Sequence, residues 1–381
     1  DRNFIQQDSY TEKIMPLDET LEGDELSEMW KDASRWKTGD KWRSFGWNVI
    51  EVDGHRIEQV SDALTRARAV KGMPSIIIAR TIKGKAVEHM EDNPQWHGKA
   101  PNPQLVPVIN QELDSQFMIA PSIIAGDMTK LENEVKRCDD GRADYIHLDV
   151  MDGQFVPNTT FDHTKIKELR PLTVIPFDTH LMITEPVKQI QNYIDAGSDI
   201  ITVHAEVCDE SSFGEIHDSL KSSKVSVGLA INPDTSMPDW SKKFIPTLDQ
   251  IIVMSVVPGK SGQKYIESSH EKTKNLMTIL KENNFSGYIE SDGGVTLDNI
   301  GECFADGARA FVGGSAIIGQ SDVRLVIREF RNQVLRTRRK LLIEKANELG
   351  GTELVNKWID LHVVGKKKDE LKQIATELGF Q

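Results

Sequence analysis

Tyr145-Ile146-His147-Leu148-Asp149-Val150-Met151-Asp152-Gly153 is the stretch on which the reading of this chain turns. Its run of apolar and β-branched residues, stopped by a glycine, predicts a strand, and alternate side chains on a strand share a face. His147, Asp149 and Met151 therefore point one way. Two ionisable groups on the inner face of a core strand are costly to bury unless they bind something.

Outward from this stretch, apolar runs recur with helical patterns between them. They fall at Met118–Ile124, Tyr145–Val150, Val174–Leu181, Ile200–His204, Val225–Ile231, Gln250–Ser255, Tyr288–Ser291 and Ala310–Val312. Helical periodicity marks Met128–Cys138, Pro186–Ala196, Ser268–Glu282 and Leu297–Ala305. Strands alternating with helices imply a parallel sheet. Eight repeats is the number that closes a (β/α)₈ TIM barrel, an α/β fold whose functional groups sit at the carboxyl ends of the strands. A doubly wound open sheet is the alternative.

Two further strand ends carry chemistry. His180 and Met182 share a face in Phe177-Asp178-Thr179-His180-Leu181-Met182, and Tyr288–Ser291 runs into Asp292. His147, Asp149, His180 and Asp292 could thus converge on one divalent cation. Mixed imidazole and carboxylate donors suit Zn²⁺, Fe²⁺, Mn²⁺ or Co²⁺ better than Ca²⁺. Glycine pairs follow the last two strands, Gly293-Gly294 and Gly313-Gly314 before Ser315, where barrels commonly cradle phosphate on backbone N–H groups. Pro258-Gly259-Lys260-Ser261-Gly262-Gln263 has the composition of a lid or of a plain glycine turn.

The chemistry implied is proton transfer beside a carbonyl. A cation next to a ketone and its neighbouring hydroxyl stabilises an enediolate, and inversion needs an acid/base group on each side of its plane. Asp149 and Asp292 are the candidates. Met151, Met182 and Met254 form a soft apolar wall around the intermediate, or simply pack the core.

Composition sets the outer bounds. The 381 residues exceed one ordinary domain, and 38% hydrophobic content supports a buried core. A formal charge of -13 argues against a nucleic-acid binder, so a phosphorylated small molecule would need a local cationic pocket. Cys138, Cys208 and Cys303 form no Cys-x-x-Cys pair, and no apolar run is long enough to span a bilayer. These features predict a cytoplasmic protein with no membrane partner. The first residue is Asp, so the chain is expected to begin inside something longer or to have been trimmed.

Three zones follow from texture: residues 1–112, a linker at 113–116 leading into 117–335, and an extension at 336–381. In the first, Trp47–Val52 reads as a strand, Ile57–Lys71 as a helix and Ser75–Ala79 as a second strand, before a proline-rich polar stretch from Asn93 to Pro107. The last reads as short helices broken at Gly350-Gly351 and Gly365, with a solvated Lys366-Lys367-Lys368 run.

The middle zone closely resembles ribulose-phosphate 3-epimerases. The matching segments are Ala120-Pro121-Ser122-Ile123, His147 to Gly153, His180-Leu181-Met182, Val203-His204-Ala205-Glu206, Gly228 to Pro233, Met254 to Gly259 and Asp292 to Val295. The resemblance implies that His147, Asp149, His180 and Asp292 bind the metal, with Asp149 as base and Asp292 as acid in one direction. It implies that Ser122 and His180 touch the sugar. Gly259, Gly262, Gly293, Gly294, Gly314 and Ser315 would surround the phosphate. The implied reaction converts D-ribulose 5-phosphate to D-xylulose 5-phosphate, in a homo-oligomer. The chain departs from the pattern at Val257 and at Lys260-Ser261, which bears on the lid and on substrate preference; another keto-sugar phosphate such as allulose 6-phosphate is the alternative.

The first zone resembles the end of the thiamine-diphosphate domain of a transketolase N-terminal subunit, through Asp1-Arg2-Asn3, Lys41 to Trp47, Glu51 to His55, Ala79 to Gly84 and Trp96 to Lys99. Asn3 and His97 stand at vestigial Mg²⁺ and diphosphate positions. Because the upstream half of that domain is missing from this chain, thiamine diphosphate binding is not expected. A fusion joining consecutive steps of one pathway, or docking to a transketolase partner subunit, would account for the pairing.

Overall fold

A computed structural model describes residues 4–7, 38–87, isolated positions between 90 and 113, and 115–348. These fall into two compact units, divided at residue 115.

In the first unit β1 (Phe4–Gln7), α1 (Thr38–Ser44), β2 (Asn48–Asp53), α2 (Ile57–Ala69) and β3 (Ser75–Arg80) follow in order. The strands form a parallel sheet in the order β1-β3-β2, so β2-α2-β3 is the expected βαβ piece. Its core is small: Ile50, Val52, Ala63 and Ile77, flanked by Val60, Leu64 and Ala67. Phe45, Ile57 and Met73 are exposed.

The second unit alternates β4 (Met118–Pro121), α3 (Leu131–Asp140), β5 (Ile146–Met151), α4 (His163–Leu169), β6 (Phe177–Met182), α5 (Pro186–Asp195), β7 (Ile200–His204) and α6 (Glu210–Ser222). It continues with β8 (Ser226–Ile231), β9 (Gln250–Met254), α7 (Ser268–Glu282), β10 (Tyr288–Asp292), α8 (Ile300–Asp306), β11 (Ala308–Gly313) and α9 (Val323–Glu348). The eight strands are parallel, in the order β4-β11-β10-β9-β8-β7-β6-β5. A parallel bridge between Ser122 and His147 joins the two ends of that list and seals the barrel at the height of the functional residues. The open-sheet alternative is thereby excluded.

Outward-facing strand residues such as Ile146, Leu148, Phe177, Val203 and Leu229 pack under the helices in one continuous core. The interior is tight where it is not polar. A Cβ on Gly228 would lie 1.9 Å from Thr202 Oγ1, so only glycine fits.

One local expectation differs from the structure. No α-helix connects β8 to β9; Asp239–Lys243 and Ile245–Thr247 are short 3₁₀ turns, because Pro238 and Pro246 interrupt a segment too short for regular helix. Helix α9 runs unbroken from Val323 to Glu348, a stretch with no Gly or Pro. The glycines at 350, 351 and 365 lie outside the described residues. No helix among the described residues is long and apolar enough to cross a membrane.

Candidate metal centre at the strand ends

Three strands each aim a pair of polar residues inward, two positions apart: His147 and Asp149 on β5, Asp178 and His180 on β6, Glu290 and Asp292 on β10. Parallel register sets His147 beside Asp178 and Asp149 beside His180. All six are buried.

The upper four are the residues expected from sequence, and the fold brings them together with one ligand atom from each within 4.8 Å of the others. His180 Nδ1 lies 3.2 Å from Asp149 Oδ1 and 3.3 Å from Asp292 Oδ2. His147 Nε2 lies 3.3 Å and 3.7 Å from the same two atoms. Ser122 Oγ donates to the other oxygen of Asp149 at 2.5 Å, fixing which oxygen faces the cluster.

These donors fit a divalent cation. His147 Nε2 is buried without a hydrogen-bond partner, and a buried imidazole nitrogen left so is costly. The opposite nitrogen, Nδ1, is held by Asp178 Oδ2 at 2.7 Å, the carboxylate–imidazole arrangement that orients histidine ligands. Two imidazoles and two carboxylates suit a borderline transition-metal ion.

The electrostatics agree. Burial disfavours charge on His147, yet the carboxylates of Asp149 and Asp178 outweigh it and raise its pKa well above the ordinary value. His180 is raised to about 9, against burial, by hydrogen bonds to Asp149 and Asp292. Burial pushes the Asp149 carboxyl up, but His147 and His180 hold it well below the usual carboxylate range. The carboxylates thus bias both imidazoles toward their charged forms, and a cation bound there competes with those protons.

Further polar groups surround the four, which the sequence reading did not assign. Asp178 also accepts from Gln250 Nε2 at 3.1 Å, and Tyr288 Oη donates to Gln250 Oε1 at 2.7 Å. Glu290 Oε1 is 3.3 Å from His147 Nδ1; burial and the nearby Asp178 raise its pKa well above normal. On the other side, His204 Nε2 is 2.8 Å from His180 Nε2, and Glu206 Oε2 is 3.0 Å from His204 Nδ1. Burial, partly offset by Glu206, lowers His204 to about 4. Glu206 sits at about 2: burial opposes its charge, but hydrogen bonds from His204, Thr235 and the Asn232 N–H outweigh that. The signal for Asp178 and Glu290 was present, as each lies two residues before a named ligand on the same face.

The remaining candidates separate into two places. Met151 and Met182 pack together with Val156, while Met254 packs with Ala230, Ile252 and Val256. The glycine loops meet at the strand ends: a Cβ on Gly262 would lie 3.9 Å from Ser315 Oγ, and one on Gly314 would lie 3.9 Å from Ser261 Cβ. Gly259, Gly262, Gly293 and Gly294 all have positive φ, and a Cβ on Gly293 would collide with Val256. The loop after β9 is pinned rather than loose. Asn158 Nδ2 donates to Gly259 O at 2.7 Å, and Gln263 Nε2 donates to Val257 O at 2.6 Å and Lys260 O at 3.0 Å. Asn3 and His97 lie outside the described residues.

Residues 118–318 match the family model for the ribulose-phosphate 3 epimerase family, and this span holds every residue of the cluster. The chain belongs to that family. Its members are carbohydrate epimerases. Ribulose-phosphate 3-epimerase from Bacillus subtilis (strain 168) is 40% identical over 56% of this chain and 97% of its own length. The chloroplastic ribulose-5-phosphate-3-epimerase of Arabidopsis thaliana is 38% identical over 55% of this chain and 74% of its own. The solved structure of 3-hexulose-6-phosphate synthase from Salmonella typhimurium aligns at a TM-score of 0.45 with 17% identity, covering 58% of this chain and 99% of its own. Residues 22–138 match the thiamine diphosphate binding domain of transketolase. That match overlaps the family's own span from residue 118, where β4 and α3 belong to the barrel.

Proposed function

We propose that this chain inverts C3 of D-ribulose 5-phosphate to give D-xylulose 5-phosphate, with His147, Asp149, His180 and Asp292 holding one Zn²⁺, Fe²⁺, Mn²⁺ or Co²⁺ ion. The observation that supports this most is the convergence of those four buried donors at the barrel's strand ends. When bound, the ion supplies positive charge that lowers the cost of an enediolate.

The protein's own groups do the proton work. Asp149, ionised and with one oxygen tied to Ser122, takes the C3 proton, and the C–H electron pair moves into the C2–C3 bond as the carbonyl oxygen gains charge. Asp292, the acid in this direction, delivers a proton to the opposite face of C3. Exchange with water resets the pair. Met151, Met182 and Met254 exclude water beside the reacting carbons, which strengthens each electrostatic contact there. Gly259, Gly262, Gly293, Gly294, Gly314 and Ser315 receive the phosphate end, where glycine lets the backbone N–H groups approach. The transketolase-like segment would place this step beside the one that consumes its product.

Allulose 6-phosphate is the second substrate, favoured by the exposed Lys260-Ser261 tip of the loop after β9. Product analysis with both sugars decides. A kcat/KM at least tenfold higher for ribulose 5-phosphate supports the proposal; the reverse ratio transfers it to the other sugar.

A further inference from the structure

We infer that His204 and Glu206 are positioning residues: a directed relay from Glu206 through His204 fixes His180 in the tautomer and ring plane that turn Nδ1 toward the metal. The inference rests on the reading that the four-residue cluster binds a cation.

With a cation held by the cluster, the geometry permits one proton assignment. Nδ1 of His180 is the nitrogen that faces Asp149 and Asp292, at 3.2 and 3.3 Å, so a ligand lone pair must sit there and the ring proton on Nε2. His180 Nε2 has His204 Nε2 as its neighbour at 2.8 Å, and two ring nitrogens at that distance need one donor and one acceptor. His180 donates, so His204 accepts on Nε2 and carries its own proton on Nδ1. That proton points at Glu206 Oε2, 3.0 Å away. Glu206 is itself anchored, because its Oε1 accepts from the Asn232 N–H at 2.8 Å. The loop carrying Asn232 is gripped in turn by Lys272, whose ammonium donates to the carbonyls of Asn232, Pro233 and Thr235.

The reversed assignment fails. Were the His180 proton on Nδ1 alone, His204 would have to donate from Nε2, setting its bare Nδ1 against the Glu206 carboxylate. The relay therefore disfavours the neutral tautomer that blocks the metal. Ring orientation agrees: the His180 and His204 planes differ by 23° with centroids 4.9 Å apart, the edge-to-edge arrangement that an in-plane N–H···N bond needs, and the Phe155 ring centroid lies 4.6 Å from that of His204. The strand β7 supplies no ligand among the four, yet its end orients one.

The test is Zn²⁺ affinity by chelator competition and the visible spectrum of the Co²⁺-loaded full chain, for His204→Leu, His204→Gln and Glu206→Gln, with Asp218→Asn as an exposed control. Loss of such an outer partner weakens metal binding by roughly 10–100-fold. His204→Leu is expected to fall in that range and to shift the Co²⁺ bands. His204→Gln, whose amide oxygen still accepts from His180, recovers most of the affinity, and Glu206→Gln, which keeps an acceptor but not its charge, loses several-fold. At saturating metal, kcat returns toward wild type. Should His204→Leu not fold, the ordering of His204→Gln and Glu206→Gln against wild type still decides. Folded variants that all bind Zn²⁺ within twofold of wild type, with unchanged Co²⁺ spectra, overturn the inference, even if their Tm falls. A wild-type chain that binds metal but does not epimerise leaves the relay standing and removes the proposed function; one that binds no metal removes both.

Discussion

Asp292→Asn separates the two halves of the proposed reaction. Asp292 Oδ2 lies 3.3 Å from His180 Nδ1 and 3.7 Å from His147 Nε2, and an amide of the same shape fits that space. The substitution removes the group that protonates one face and leaves Asp149, tied to Ser122 at 2.5 Å, as the only carboxylate able to remove the C3 proton. A positioned acid or base contributes about 10²–10⁴-fold, or about 3–5 kcal/mol in the barrier. One of four ligands is also weakened, so the assay is run at saturating metal. In D₂O, conversion to xylulose 5-phosphate should fall by about 10²–10⁴-fold. Solvent deuterium should still enter C3 of the ribulose 5-phosphate that remains, as read by mass spectrometry. Product formation within threefold of wild type, in a protein with an unchanged circular dichroism spectrum, would refute the two-carboxylate assignment. Complete loss of both conversion and wash-in at saturating metal would assign proton removal to Asp292 instead.

Three further outcomes follow from the same geometry. Gly228→Ala sets a methyl 1.9 Å from Thr202 Oγ1 inside the barrel and should cost about 1–3 kcal/mol or more in urea unfolding; an unchanged midpoint would contradict the packing. Ser122→Ala frees the second oxygen of Asp149 from a charge-assisted hydrogen bond worth about 1.5–3 kcal/mol, so kcat should drop at least tenfold while Zn²⁺ affinity changes less, measured by kinetics and chelator competition. Glu206 has a folded pKa of about 2 against 4.5 unfolded, so its contribution is complete above pH 4.5 and is lost as pH falls toward 2. Glu206 is partly solvent-exposed, so screening reduces that contribution, and Glu206→Gln should flatten the acid limb of urea-unfolding stability between pH 4.5 and 2; an unchanged acid limb would contradict the assignment.

The metal ligands were legible because they obey a local rule. Alternation put His147 with Asp149 and located His180, and barrel topology placed strand ends together without any need for exact register. Applied again, the same rule reaches Asp178 and Glu290. Each is two residues before a ligand, but a polar residue one layer deeper has no meaning until neighbouring strands show what it touches. His204 and Glu206 stood inside a matching segment without a role, since their partner His180 lies on another strand and the link depends on ring orientation. Connections were the weakest part. The segment from Pro238 to Leu248 had no regular period to read. The small sheet of the first unit was readable as βαβ because that pattern is local, whereas the pairing of β1 with β3 is not.

The most direct measurement is turnover of ribulose 5-phosphate by the purified chain before chelation, after it, and after Zn²⁺, Fe²⁺, Mn²⁺ or Co²⁺ is restored singly. Activity that disappears with the metal and returns with at least one of these ions is the predicted result. A folded chain that epimerises equally well after exhaustive chelation, or with no ion at all, would contradict the metal centre on which the account depends.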